Sequence, residues 1–359
     1  MKLAGAMRSL AAIVLAALLV TLALSALGTS PRIVFTALAE GAFGNWLACV
    51  DTLVKATPLL FCGLAIAIAF EAALRNIGAD GQLLAGALAA GACGPWLASW
   101  PHPIAVLAIL SAGAIGGGVW GGIAGWLRAR RDVSEVISTI MLNFTAAQLL
   151  SWAVHGPLME PTHAFPKSAP IAAGAELQLY FAPSRFNLGM MLGVIIAAAC
   201  YLLLFHTVIG FELRAMGRNR RAAEYFGLKT ARLTGIAMLL SGALAGLGGA
   251  VHVAAITHRL YETLSPGWGY EAIAVALVAR LNPIAIVPTA ILFGALDNGA
   301  QAMQRSAGVS PVLVRVIQAL VIMLMLAFDS IAVRRMRGIT AGPPTSDTSV
   351  TTPTETAGA

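Results

Sequence analysis

The chain contains 359 residues, of which 58% are hydrophobic and only 11% are charged. Soluble domains carry about 25% charged residues, so this composition excludes a water-soluble globular protein. The mean hydropathy of +0.81 agrees with that exclusion. Since a membrane-spanning helix needs ~20 mostly apolar residues, the length allows roughly ten spans with short loops. The composition therefore predicts an all-α integral membrane protein.

The net charge of +7 does not indicate nucleic-acid binding. In membrane proteins Lys and Arg concentrate in cytoplasmic loops, so their placement matters more than their sum. The four cysteines are isolated from one another, and the histidines form no motif typical of a metal enzyme. We therefore expect no catalytic site, metal, cofactor or nucleic-acid partner.

The first apolar run extends from Leu10 to Leu27 and follows Lys2 and Arg8. Within it, Ala23-Leu24-Ser25 resembles the cleavage region of a secretory signal. The run is longer than the 7–15-residue apolar region of such signals, and further apolar runs follow it. A retained first span is therefore favoured over a cleaved signal.

Further apolar runs predict the remaining spans. The segment Gly269–Arg280 is too short to cross alone as a helix, but counting it as a crossing yields ten segments that obey the positive-inside rule. Most of the 23 Lys and Arg residues then face the cytoplasm, as do both termini, while Lys55 falls on the outer side. The full-length runs after the first are 55–74, 82–98, 104–126, 135–155, 186–209, 232–254, 283–303 and 311–333.

Two loops stand out by their length. The proline-rich outer loop 156–185 is either a surface for an external partner or a plain connector, and the inner loop 210–231 is dense in charge. We expect residues 1–333 to form one polytopic membrane domain. Residues 334–359 are poor in apolar side chains and are expected to form a disordered cytoplasmic tail.

A weak internal repeat relates two parts of the chain. Residues 80–90 align with residues 269–279, and the Val-Ser-x-Val pattern that begins at Val133 recurs at Val309. The paired segments run in opposite directions in the predicted topology, as in transporters built from inverted repeats. Chance similarity between alanine-rich segments is the alternative.

Small residues recur every four positions in two of the predicted spans. One set runs from Gly113 to Gly125 and the other from Gly242 to Ala250. Such spacing allows helix backbones to approach closely in lipid. It predicts packing and carries no information about a substrate.

Polar side chains within apolar spans are candidates for a solute path, because polar groups at membrane depth are costly. Hydrogen bonding between helices is the alternative role, above all for the amides. Asp297 is the only well-centred acid. The candidates are Asn76, Asp80, Gln82, Asn143, Gln148, Asp297, Asn298 and Gln301.

The segment Asn219–Leu228 of the inner loop predicts a short helix. Asn219 is a favourable N-cap, and Gly227 can end the helix in the left-handed conformation. Its aromatic and basic side chains suit docking into a groove of another protein, with an interfacial helix on anionic lipid as the alternative. The residues concerned are Asn219, Arg220, Arg221, Ala222, Ala223, Glu224, Tyr225, Phe226 and Gly227.

Four segments, in this order along the chain, resemble permease subunits of ABC importers. They are Asn76–Gln82, Glu135–Phe144, Ala222–Gly227, and Gly269–Leu277 followed by Asn282-Pro283. The closest group is the nucleoside and simple-sugar branch of the branched-chain amino acid/ribose-type permease family. The likeness covers roughly residues 52–333, and Asp80 stands where the family usually has Glu.

The resemblance implies a bacterial inner-membrane permease subunit that imports nucleosides or related simple sugars. It implies broken helices near Asn76–Gln82 and Gly269–Arg280, and coupling through the loop 219–228. The implied partners are a cytoplasmic ABC ATPase, a second permease (identical or paralogous), an extracytoplasmic solute-binding protein and membrane lipid. ATP hydrolysis is expected on the ATPase, since the chain has no GxxxxGK[ST] motif. A gradient-driven secondary transporter of a small polar solute is the alternative.

Overall fold

The structure is a computed structural model that describes residues 30–180 and 185–307, together with Thr21, Val312 and Val316. The chain divides into two units. One consists of Met1–Leu27 and Arg315–Ala359, and the other, Gly28–Val314, contains the elements named below. Apart from those three single residues, the predicted spans 10–27 and 311–333 lie outside the described residues, as does the predicted tail.

Helices make up most of the described chain. A 3-10 turn, Gly94–Leu97, follows the third helix, and a π-helical turn, Val253–Thr257, extends the ninth. In chain order the α-helices are α1 (Pro31–Phe43), α2 (Trp46–Glu71), α3 (Ala79–Cys93), α4 (His102–Arg131), α5 (Glu135–His155), α6 (Gly189–His206), α7 (Val208–Arg218), α8 (Arg220–Tyr225), α9 (Thr230–His252), α10 (Trp268–Val278) and α11 (Pro283–Ala307).

Within the described residues, 6 helices are long and apolar enough to cross a membrane. They are α2, α4, α5, α6, α9 and α11. Helices α3 and α10, of 15 and 11 residues, are too short to cross alone. The sequence predicts this for the segment of α10 only; the prediction of a full-length span over 82–98 is wrong, because the helix there ends at Cys93. These six long and two short helices correspond one to one with the segments predicted between residues 55 and 303, so the all-α membrane fold is confirmed.

Helix α2 begins nine residues before the predicted start of its span. Asn45 caps it by accepting a hydrogen bond from the backbone N–H of Ala48 at 2.8 Å. Lys55, predicted on the outer side, therefore lies inside the span, about 14 Å from the first residue of the helix. Helix α1 was absent from the predicted spans.

The helices α2–α4 and α9–α11 form two halves of a repeat. Helix α2 packs on α10 and α11, and α9 packs correspondingly on α3 and α4. Helices α2 and α9 run antiparallel, because Ala65 contacts Ser241 while Phe61 faces Gly248. The repeat is therefore inverted, and residues 80–90 and 269–279 lie in its two short helices. Val309, in the second alignment, lies outside the described residues.

Helices α4 and α9 touch along their glycines. A Cβ atom at Gly246 would overlap the carbonyl oxygen of Gly113, and one at Gly117 would overlap that of Gly242. At Gly122, by contrast, a Cβ atom would meet open space. The close packing predicted from the four-residue spacing is confirmed, because only a missing side chain permits this backbone approach.

The outer loop is folded against the segment that follows α9. The backbone N–H of Ser168 donates to the carbonyl of Leu260 at 3.0 Å. Glu160 forms ion pairs with Lys167 and Arg259, each at 3.3 Å. Two short strands, β1 (Leu179–Tyr180) and β2 (Phe186–Asn187), pair antiparallel at the end of the loop. The loop is thus attached to the segment that follows α9, and its role as a surface for a partner stays a prediction.

Candidate functional site

A cluster of polar side chains surrounds the break between α2 and α3 and the start of α10. Four of its members are path candidates identified from the sequence, and three hydroxyl residues complete it. We call this cluster the polar junction; it consists of Asn76, Asp80, Gln82, Asn143, Ser241, Ser265 and Tyr270.

Asp80 joins the starts of the two short helices. Its Oδ1 atom accepts hydrogen bonds from the Ser265 hydroxyl at 2.7 Å and from the backbone N–H of Gly269 at 3.0 Å. Asp80 lies in the first turn of α3, and Gly269 lies in the first turn of α10. A helix N-terminus carries a partial positive charge that a carboxylate stabilises. One buried carboxylate therefore stabilises the N-termini of two helices that meet at this point.

Asn143, on α5, connects the same two starts. Its Oδ1 atom accepts from the backbone N–H of Gly81 at 2.8 Å. Its Nδ2 group donates to the carbonyl of Ile77 at 3.0 Å and to the hydroxyl of Tyr270 at 2.9 Å. The Tyr270 side chain is exposed, so it is the member of the polar junction that is open to its surroundings.

Asn76, Gln82 and Ser241 form the buried side of the polar junction. The Nδ2 group of Asn76 donates to Gln82 Oε1 at 2.9 Å and to Ser241 Oγ at 2.8 Å. The Ser241 hydroxyl donates in turn to the carbonyl of Ala65 at 2.6 Å. All three side chains are buried. In lipid, non-helical backbone persists only where protein or water satisfies it. At this break the Asn76 Oδ1 atom accepts from the backbone N–H of Gly78 at 2.9 Å.

Sequence reasoning missed the hydroxyl members of the polar junction. Ser265 sits in an irregular segment, and Tyr270 sits in a helix too short to show a periodic pattern. Ser241 lies among small residues that indicate packing alone. Their common position follows only from the way α9 and α10 fold back onto α2 and α3.

Asn298 lies apart from the polar junction. Its Nδ2 group donates to the carbonyls of Gly41 and Ala48, each at 3.0 Å. These bonds attach α11 to the end of α1 and the start of α2. The geometry gives Asn298 a role in packing, and its place on a solute path stays a prediction.

Lys55 and Asp297 form an ion pair across α2 and α11. Lys55 Nζ lies 3.0 Å from Asp297 Oδ2, and the two side chains are 20% and 43% exposed. Asp297 lies about 21 Å along α11 from Pro283, well inside the span. Partly exposed charges at this depth face water or protein rather than lipid. The exposed Gln301 follows one turn later on the same helix.

Gln148 lies on a different surface. It is exposed on α5, on the same stripe as Phe144 and Trp152, which are 63% exposed each. A stripe of large apolar side chains on a spanning helix is typical of a lipid-facing surface. The structure therefore separates Gln148 from Asp297 and Gln301.

Helix α8 has the local structure that the sequence predicts. Asn219 Oδ1 accepts from the backbone N–H of Ala222 at 3.0 Å, and Gly227 has φ of +81°. Ala223 is buried, whereas Tyr225 and Phe226 are 88% and 81% exposed. One side of this segment is thus attached to the helices that pack around Ala223, while its aromatic end projects outward.

Glu224 fixes α8 to the start of α9. Its carboxylate accepts from the Thr230 hydroxyl at 2.7 Å and pairs with Arg220 Nε at 3.1 Å. The hydrogen bonds from Thr230 and Arg220 lower the pKa of Glu224. The carboxylate is therefore ionised at neutral pH, and these contacts hold the short helix in place.

Comparison with known families agrees with this architecture. Residues 48–326 match the model of a family described as branched-chain amino acid transport system / permease component. The chain belongs to this family. The protein is therefore a membrane transport subunit, a permease.

Several relatives are similar over most of the permease. It is 34% identical to the glucose ABC transporter permease protein TsgB13 of Haloferax volcanii, and the matched region covers 88% of this chain and 86% of the relative. It is 33% identical to the guanosine ABC transporter permease protein NupP of Bacillus subtilis, over 85% and 87% respectively. It is 31% identical to the nucleoside ABC transporter permease protein NupB of Lactococcus lactis, over 87% and 88%. No solved structure matches the permease.

Proposed function

We propose that this permease imports nucleosides or related simple sugars across the bacterial inner membrane, driven by ATP hydrolysis on a separate cytoplasmic subunit. The observation that carries the proposal is similarity over most of the chain to relatives named for guanosine, nucleosides and glucose. These solutes are all polyhydroxylated. Two permeases, identical or paralogous, form the pore, and an extracytoplasmic solute-binding protein delivers the solute.

Asn219–Gly227, which we call the coupling segment, contacts the ATPase in this proposal. This assignment is supported by two features of the segment: one side packs firmly against the protein, and its aromatic side chains are exposed. Ala223 packs in a cluster with Leu213 and Leu233, while the rings of Tyr225 and Phe226 project outward. Exposed aromatic side chains on a short rigid helix are suited to a groove on a partner protein.

The solute path follows the face that carries Lys55, Asp297 and Gln301. Charged and amide groups here can exchange hydrogen bonds with the hydroxyl groups of a sugar or nucleoside. The buried amides of the polar junction support the path by maintaining the helix breaks, and Tyr270 is the member placed to touch a solute. This assignment uses the partial exposure of the ion pair at membrane depth.

In the proposed orientation, the coupling segment and both termini face the cytoplasm. Residues 208–232 contain six Lys or Arg and two Glu, a bias typical of a cytoplasmic loop. The outer loop then lies on the opposite side of the membrane, where its attachment to the segment after α9 offers a fixed surface to the solute-binding protein.

Uptake measurements test the proposal. Labelled guanosine, adenosine, ribose and glucose are supplied to cells with and without the gene, with ATP depleted or, separately, with the proton gradient collapsed. We expect deletion to abolish uptake of at least one of these solutes, with the uptake sensitive to ATP and not to the gradient. Gradient-driven uptake would contradict the proposed mechanism, and unchanged uptake of all four would contradict the proposed substrates.

The coupling segment is tested by Tyr225→Ser combined with Phe226→Ser. Both side chains are exposed, so we expect the variant to fold normally, to lose transport and to lose ATPase association. Phe165→Ser, which changes an exposed aromatic residue of the outer loop, is the matched control. Normal transport by the double variant would contradict the assignment.

A further inference from the structure

A groove of about 560 Å³ lies between α7 and α8. We call it the α7–α8 groove; its lining includes Phe211, Arg214, Arg218, Ala222 and Phe226. Phe211, Arg214 and Arg218 are spaced at three and four residues, so they lie on one face of α7. The groove therefore combines an apolar end with two guanidinium groups.

The groove lies beside the C-terminal end of the spanning helix α6. The guanidinium carbon of Arg214 is 4.8 Å from the ring centroid of Phe205, in the last turn of α6. Helix α7 begins immediately after α6, and its first-turn side chains Val208, Ile209 and Phe211 are exposed. Exposed apolar groups beside arginines at the end of a span are typical of the boundary between acyl chains and headgroups.

Within the described part of the chain, no ion pair neutralises the arginines of the groove. Among the described residues, neither Arg214 nor Arg218 has a carboxylate within 4.0 Å, and Arg214 Nε is buried without a hydrogen-bond partner. Glu71, at the end of α2, is the acidic side chain that interacts electrostatically with both arginines. Two cations against one such anion leave an excess of positive charge at the groove.

We propose that the α7–α8 groove binds an anionic phospholipid. The headgroup phosphate accepts hydrogen bonds from Arg214 and Arg218, for which guanidinium geometry is well suited. An acyl chain lies along Phe211 and Val208. A lipid fits better than an acidic peptide because the cationic end of the groove is continuous with exposed apolar side chains next to a span. The bound lipid fixes α7, and with it the base of the coupling segment.

The test compares lipid dependence in matched variants of the full-length permease. The protein is reconstituted in nanodiscs of phosphatidylcholine, with and without phosphatidylglycerol, and retained lipid is measured by native mass spectrometry together with the unfolding midpoint. The variants are Arg214→Gln with Arg218→Gln, and the exposed Arg218→Gln alone in case the pair impairs folding. Arg130→Gln with Arg131→Gln removes two exposed charges from the end of α4 and is the control.

We expect phosphatidylglycerol to raise the unfolding midpoint of the unmodified permease and of the control. The double variant Arg214→Gln with Arg218→Gln should bind phosphatidylglycerol on the order of tenfold more weakly. Its unfolding midpoint should no longer rise with this lipid, and Arg218→Gln alone should lose part of the rise. Equal losses in the groove and control variants would indicate general surface charge and overturn the site. Unchanged lipid retention accompanied by weaker ATPase binding would assign the arginines to the protein interface. These readouts do not involve transport, so they are independent of the proposed substrate.

Discussion

The Oδ1 atom of Asp80, in the first turn of α3, accepts a hydrogen bond from the backbone N–H of Gly269, in the first turn of α10, at 3.0 Å. The two residues belong to opposite halves of the inverted repeat. A Cβ atom at Gly269 would overlap the backbone of Asp80, so the two helix starts are in direct contact. The short helices of this transporter are thus joined at their N-termini.

We predict that Asp80→Ala destabilises the permease more than Asp80→Asn does. The alanine leaves the buried Gly269 N–H without its acceptor, at about 1–3 kcal/mol, and also removes the acceptor of the half-buried Ser265 hydroxyl. The asparagine keeps an acceptor oxygen and loses only the charge. Thermal unfolding in detergent measures the difference, with the exposed Asp132→Asn as control. Equal stability of the alanine variant and the unmodified protein would show that the contact does not hold the helices.

We predict that Gly246→Ala destabilises the contact of α4 and α9. The added Cβ would overlap the Gly113 carbonyl oxygen, and overpacking of this kind costs about 1–3 kcal/mol. Gly122→Ala introduces the same methyl group on α4 where there is open space, and it should be neutral or slightly stabilising. The prediction is checked by comparing the unfolding midpoints of Gly246→Ala and Gly122→Ala with that of the unmodified permease. Similar midpoints would mean that the helices can separate without cost.

We predict that Gln301 is accessible from water and that Gln148 is not. Each is replaced by Cys in a permease whose four native cysteines have been replaced, and the assembled transporter is treated with a membrane-impermeant thiol reagent. The Gln301→Cys thiol lies one turn from Asp297 on α11 and should react. The Gln148→Cys thiol lies in the apolar stripe of α5 and should not react.

Protection of the Cys at 301 by transported solute would strengthen the assignment of the path. Labelling at 148 alone would move the path to α5. Asp297→Asn should in addition reduce transport, because it leaves Lys55 at membrane depth without its counter-charge.

We predict that acid loosens the outer loop through Glu160. Burial alone would raise the pKa of this carboxyl, but hydrogen bonds from Thr162 and Lys167 and the charges of Lys167 and Arg259 outweigh it and lower the pKa. A lowered folded pKa contributes stability above the unfolded value of about 4.3, and this stability is lost as the pH falls through the folded pKa.

Hydrogen exchange at the Ser168 amide, followed as the pH falls below about 4, reports this attachment. In Glu160→Gln the protection of that amide should be lower at neutral pH and should no longer change in this acidic range. A variant that keeps the acid dependence of the unmodified permease would assign it to another group, such as Glu176 beside His258.

Much of the fold could be predicted from the chain alone because the membrane imposes simple rules. Apolar runs of sufficient length must be helices, since lipid offers no partner to backbone groups. The same rules indicated the short segment Gly269–Arg280, but they predicted a full span over residues 82–98, where the structure has the short α3. The cap at Asn219 and the left-handed Gly227 could be predicted from helix-capping preferences, because these depend on neighbouring residues only. The family resemblance, carried by four local motifs, depended on the same kind of information.

The tertiary structure decided which polar residues meet and which face lipid. Asn76 and Ser241 are 165 positions apart, and Asp80 and Gly269 are 189 apart, so no local pattern could pair them. The sequence predicts Lys55 at the outer end of its span because a charge lowers the local hydropathy, whereas the structure pairs it inside the span with Asp297 of a distant helix. Sequence determines where the chain must be helical in lipid; the packing of the two repeats determines which polar groups are satisfied within the protein and which remain open to a solute.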